Sequence, residues 1–126
     1  MASVSYITVG SNDLEAAKGF YDALLGSIGM RGVFEHPSGG RLYRGKDGCL
    51  FGVLGPYDGG AASVGNGAMG GFSFDSREEV TAFHARALAL GGTCEGPPGE
   101  RMGGSWFAYF RDLDGNKLCG FTFSKA

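Results

Sequence analysis

Near the end of the chain, Arg111-Asp112-Leu113-Asp114-Gly115-Asn116 leads into Lys117-Leu118-Cys119-Gly120-Phe121-Thr122-Phe123, placing a thiol within an apolar, aromatic segment. Cys119 has two readings. As a nucleophile it needs a neighbouring base or cation that lowers its pKa, and spacing assigns it none; as packing it is a small buried thiol. The two histidines are the other groups able to titrate near neutrality. His84, beside Phe83, reads as a partly exposed helix-flank residue, and His36, before Pro37, as an exposed loop residue. Trp106, Phe107 and Tyr109 share one strand, whose alternate side chains face opposite ways, so one set is available to a ligand; a period of two does not say which. Just before them, Glu100-Arg101-Met102-Gly103-Gly104 reads as a mobile loop. Arg101 is either a clamp for an anionic ligand or a solvated charge. Arg41 and Tyr43, in the matching strand of the first half, carry similar alternatives.

The elements that must position these residues come in two similar series. Tyr6–Val9 is a β-branched run and reads as a strand; Asn12 as N-cap with Glu15 three residues on forms a capping box for a helix ending at Gly26. Three strands follow, about Arg31–Glu35, Arg41–Arg44 and Cys49–Leu54, separated by turn-forming Pro37-Ser38-Gly39-Gly40 and Gly45-Lys46-Asp47-Gly48. After a Gly-rich linker, about 55–67, the series restarts: a strand at Met69–Phe74, a second capping box at Ser76–Glu79, a helix stopped by Gly91-Gly92, and strands at about Thr93–Gly96, Ser105–Phe110 and Lys117–Phe123. A shift of 63 positions, half of the 126, aligns Tyr6 with Met69, Phe20 with Phe83 and Gly29 with Gly92. The chain therefore reads β-α-β-β-β twice, as module 1 (about 1–54) and module 2 (about 68–126) of one α+β domain. Each module has one sheet face covered by its helix and one needing a partner, so a ligand cavity is expected between them.

Composition removes several classes of function. A formal charge of −2, with scattered basic residues, argues against nucleic acid or an anionic membrane as partner. No apolar run approaches the ~20 residues that span a bilayer, and the start lacks a signal-peptide pattern, so a cytoplasmic location is expected. Three widely spaced cysteines without a CxxC pair fit reduced thiols rather than a disulfide framework or structural zinc. Gly65-Asn66-Gly67 lacks the GxxxxGK[ST] pattern of a phosphate loop.

The doubled plan, with Asn12-Asp13-Leu14-Glu15 and Phe20-Tyr21 after the first strand, Ser76 and Phe83-His84 in the second helix segment, and Arg111–Asn116 before the last strand, resembles the vicinal oxygen chelate superfamily, which includes glyoxalase I, extradiol dioxygenases and bleomycin-resistance proteins. The resemblance implies a glyoxalase-like domain with a half-barrel cavity and a homodimer, with cavities built within one chain or from modules of both. Metal-using members hold a divalent ion with His, Gln or Glu on the first strand and Glu on the last strand of each module. Those positions fall here on Tyr6, Met69, Gly52 and Cys119, none of which matches the ligand set. Gly52 is then either a widened cavity corner or an ordinary strand glycine. The expectation is a protein without metal or other cofactor, binding a small organic molecule in a cavity with Tyr6, Gly52, Met69, Cys119, Arg41, Tyr43, Arg101, Trp106 and Tyr109 as wall residues. Two alternatives stand beside it. One is a lyase, isomerase or dioxygenase-like enzyme acting on a small carbonyl or aromatic compound, through Tyr6 or Cys119 without metal or through a metal held at other sites; the other is a dimerising scaffold with a vestigial cavity.

Overall fold

In the computed structural model, which describes residues 1–125, the β-α-β-β-β series occurs twice. The first is β1 (Tyr6–Gly10), α1 (Leu14–Gly26), β2 (Arg31–Glu35), β3 (Arg41–Arg44) and β4 (Leu50–Leu54). The second is β5 (Gly70–Ser73), α2 (Arg77–Ala89), β6 (Thr93–Glu100), β7 (Trp106–Arg111) and β8 (Lys117–Thr122). They lie in two compact units, Met1–Val64 and Gly65 onward, giving an α+β fold. Each unit holds one four-stranded mixed sheet, ordered β1-β4-β3-β2 and β5-β8-β7-β6, and neither closes into a barrel. The pairs β1/β4 and β5/β8 are parallel and the rest antiparallel. Among the described residues no helix is long and apolar enough to cross a membrane.

In the first unit, α1 buries Ala17, Phe20, Tyr21, Leu24 and Leu25, a stripe at helical spacing. The Tyr21 ring lies 4.9 Å from that of Phe51 on β4, which fixes the α1 side of the sheet. The N-cap differs from the expected Asn12: Asp13 takes the role, its Oδ1 accepting from the Ala16 N–H at 3.1 Å. Asn12 instead donates from Nδ2 to the Ala62 carbonyl (3.0 Å) and accepts at Oδ1 from the Ala62 N–H (2.7 Å). An amide carries both a donor and an acceptor and so satisfies both backbone groups of Ala62, which a carboxylate cannot do. That pair ties the Gly-rich segment back onto the first unit.

In the second unit, Ser76 caps α2 as expected: its Oγ accepts from Glu79 N–H (3.2 Å) and donates to Glu79 Oε1 (3.0 Å). The core is aromatic, with the Phe83 ring 5.0 Å from Phe74, 5.2 Å from Phe72 and 5.5 Å from Phe110. Gly120 makes room for it, since a Cβ there would lie 2.9 Å from Phe83 Cδ2. β6 runs on to Glu100 instead of stopping near Gly96. Its two prolines are tolerated because it is an edge strand whose register shifts between Cys94 and Gly96 and between Gly96 and Gly99. The loop expected at Glu100–Gly104 is a bonded reverse turn: Arg101 N–H donates to the Ser105 carbonyl (2.8 Å) and Ser105 N–H to that of Met102 (3.2 Å). The Asp112–Asn116 turn is closed by Asp112 Oδ1, which accepts from the N–H groups of Asp114 and Asn116, each at 2.9 Å.

Candidate ligand-binding site

Strand register sorts the expected site residues onto faces. In the first unit, Tyr43 and Arg41 lie on the α1 side of the sheet. The Tyr43 hydroxyl donates to Asp22 Oδ1 on α1 at 2.6 Å, and burial together with that bond holds its pKa well above the ordinary phenol value. Arg41 bridges Asp22 and Glu35, at 2.6 Å to each. The bond from Arg41 holds the Glu35 carboxyl below its usual range. Both residues, expected as wall residues of a cavity, are thus engaged between helix and sheet. The opposite face carries Tyr6 (54% exposed), Thr8, Gly52 and Leu42. Gly52 does not widen a corner: Leu42 Cδ2 lies 2.8 Å from where its Cβ would be, so the missing side chain is replaced by a leucine methyl.

The second sheet resolves the alternation of the aromatic strand. Trp106 is on the α2 side, donating from Nε1 to Thr81 Oγ1 (3.2 Å), with the Arg77 guanidinium 4.9 Å from its ring. Phe107 and Tyr109 face away from α2, where they join Cys119 and Phe121 through the pairs Phe107↔Phe121 and Tyr109↔Cys119. Phe107 stacks on Tyr109 (5.8 Å, 18°) and on Phe121 (5.2 Å, 14°), and Phe123 meets it edge-on. Arg101 Cζ lies 5.6 Å and Lys117 Nζ 5.2 Å from the Tyr109 ring. Cys119 is 1% exposed, and its burial pushes the thiol up to about 11, with Lys117 opposing the shift. At neutral pH the free group is a thiol, not the thiolate that a nucleophile requires.

The structure thus brings Tyr109, Arg101 and Cys119 together on one face and leaves Trp106 on the other. Lys117 and Phe121 were not singled out in the sequence, although their two-residue spacing from Cys119 places them on its face. Met69 precedes β5 and is 48% exposed. The positions implied for a metal therefore offer a thioether, an exposed phenol, a glycine and a buried thiol, a donor set without carboxylate or imidazole that does not fit a divalent ion preferring oxygen and imidazole ligands.

His84 differs from expectation. It is buried, 5% exposed, and its Nε2 has no hydrogen-bond partner, so desolvation lowers its pKa. The signal was in the repeat: a shift of 63 sets His84 on Tyr21, a member of the buried α1 stripe. His36 fastens a turn. Its Nδ1 accepts from the Ser38 N–H (3.1 Å) and lies 2.9 Å from Ser38 Oγ, which itself accepts from the Gly55 N–H at 3.0 Å.

Two β-α-β-β-β units, each with a helix on one face of a four-stranded sheet, define the class of protein. The Glyoxalase/Bleomycin resistance protein/Dioxygenase superfamily model matches residues 3–119, and the chain belongs to that superfamily. A glyoxalase/bleomycin resistance protein from Albidiferax ferrireducens T118 is 46% identical, with a TM-score of 0.86 over 95% of this chain and 98% of that one. A glyoxalase-related enzyme from Fulvimarina pelagi is 25% identical (TM-score 0.77, covering 97% and 88%). A lactoylglutathione lyase from Agrobacterium tumefaciens, 22% identical with a TM-score of 0.71 over 98% and 95%, shares the fold. Among curated proteins none matches the chain.

Proposed function

We propose that this chain binds a small, flat organic molecule on the face of its second sheet that turns away from α2, without a metal ion. The observation that carries this reading is the row of near-parallel rings, Tyr109, Phe107 and Phe121, all half-buried beside Cys119. Such a row presents π faces and edges to another flat apolar group. The poor fit of the implied metal positions supports the metal-free part. Catalysis through Cys119 has less support, because its thiol is held protonated. Pairing with a second copy belongs to the same reading, supported by Val33 and Phe34, exposed apolar residues on the edge strand β2.

Isothermal titration calorimetry with 2-naphthalenemethanol tests the binding. The expected result is an affinity unchanged by EDTA and weakened about tenfold by Phe107→Ala, the scale of losing an aromatic contact. Binding that disappears with EDTA, or that ignores Phe107→Ala, contradicts the reading.

A further inference from the structure

We propose that the ligand of this face carries a negative charge beside its flat ring, as an aromatic or conjugated carboxylate, and that Arg101 and Lys117 select it. The inference rests on the binding reading above and adds the ligand's chemical class.

Both cations sit against one ring, Tyr109, at 5.6 Å and 5.2 Å from its centroid. Neither forms an ion pair among the described residues, in contrast to Arg41 with Asp22 and Glu35, Arg77 with Glu100, and Arg111 with Glu95. Arg101 is nevertheless held. Its Nη2 donates to the Pro97 carbonyl (2.9 Å) and its Nη1 to that of Glu100 (3.2 Å). Neutral carbonyls fix the orientation of a guanidinium without cancelling its charge, so its field remains available to an anion.

The backbone is shaped to receive this side chain. A Cβ on Gly99 would lie 2.7 Å from Arg101 Nη1, and one on Gly96 would lie 2.9 Å from Tyr109 Cδ2 and 3.5 Å from Arg101 Nη2. β6 therefore omits side chains at the two places where Arg101 lies across the sheet. Glu95, the nearby acid on β6, is engaged by Arg111 at 2.9 Å, and Arg111 spends its other Nη on the Gly115 carbonyl. Two cations without an ion pair among the described residues therefore lie beside the stacked rings. A planar carboxylate would place its ring on the aromatic row and its charge beside Arg101 and Lys117, whereas a neutral ring gains only the stacking.

The test compares 2-naphthoate with its neutral counterpart 2-naphthalenemethanol by isothermal titration calorimetry on the full chain, in the wild type, in Lys117→Gln and in Arg101→Gln/Lys117→Gln. The expected result is a preference for 2-naphthoate of about tenfold, reduced to about threefold by Lys117→Gln and abolished in the double variant, read in each variant as the ratio of the two affinities. Lys117→Gln touches no backbone bond of the fold, so it keeps the test open if the double variant is unstable. Equal or weaker binding of 2-naphthoate in the wild type, or a preference that survives the substitutions, overturns the charge assignment while the binding reading stands. If neither probe binds, both fall.

Discussion

The two units share one plan and distribute their chemistry in opposite ways. In the first, polar groups gather on the helix side, where Asp22 receives both the Tyr43 hydroxyl and Arg41, while the other face carries the exposed Tyr6 beside Thr8, Gly52 and Leu42, without stacked rings. In the second, the helix side is a cluster of phenylalanines around Phe83, and the far face holds stacked rings, two uncompensated cations and a buried thiol. A duplicated backbone leaves the choice of face to single side chains. Under the proposed function, the contrast assigns the ligand to the second sheet and a largely structural role to the first.

The largest expected effect is on thiol reactivity. Cys49 and Cys94 are exposed and Cys119 is buried, so alkylation of the native protein near neutral pH should modify the first two promptly. Cys119 should react far more slowly, because it is buried and its burial disfavours the thiolate. Mass mapping of the alkylated peptides checks this, and rapid labelling of Cys119 would mean that the far face of the second sheet is open and its thiol activated. Next, Gly120→Ala should destabilise by ~2–3 kcal/mol, because its Cβ meets the rings of Phe83 and Phe74. Gly52→Ala should cost about 1 kcal/mol, since its one tight contact is with the flexible end of the Leu42 side chain. Urea melts of the two variants compare the cores directly; equal losses would erase the distinction between an aromatic and an aliphatic seam.

Asp22→Asn sharpens the comparison from the other side. It weakens the bonds from Tyr43 and Arg41 on a half-exposed seam, so a loss of ~1–2 kcal/mol is expected in urea, with no change in 2-naphthalenemethanol affinity. The smallest effect concerns pH. The native pKa of His84 is depressed below its ordinary 6.5, so the unfolded chain binds the proton more readily. Its contribution to stability is full above about 6.5 and declines as the pH falls from there toward the depressed native value. Thermal melts across that acid range should show a shallower decline in His84→Phe than in the wild type.

The doubled series, both helices and the closing turn were legible because each rests on local rules: helical stripes, Ser76 with Glu79, and Asp112 with Gly115. The Asn12 cap was misplaced because its partner, Ala62, lies 50 residues away, and no local pattern reveals such a bond. β6 looked short because Pro97 and Pro98 resemble a break, and only its edge position makes them compatible with pairing. The site was half legible. Tyr43 and Tyr109 occupy matching strands, yet Tyr43 pairs with Phe51 on the helix side and Tyr109 with Cys119 on the other. A difference of one residue in register exchanges the faces, and the alternation of a single strand cannot supply that parity. The sequence offers Arg101 as a clamp; what holds it in place, the Pro97 and Glu100 carbonyls and the gaps at Gly96 and Gly99, comes only with the fold.

The most direct test of the proposed ligand-bearing role of the second sheet is amide chemical-shift mapping during titration with 2-naphthoate. The largest shifts are expected at Phe107, Tyr109, Cys119 and Phe121 on β7 and β8, with those at Thr8, Leu42 and Gly52 on β1, β3 and β4 much smaller. Shifts concentrated on the first sheet, or spread evenly over both, would contradict it.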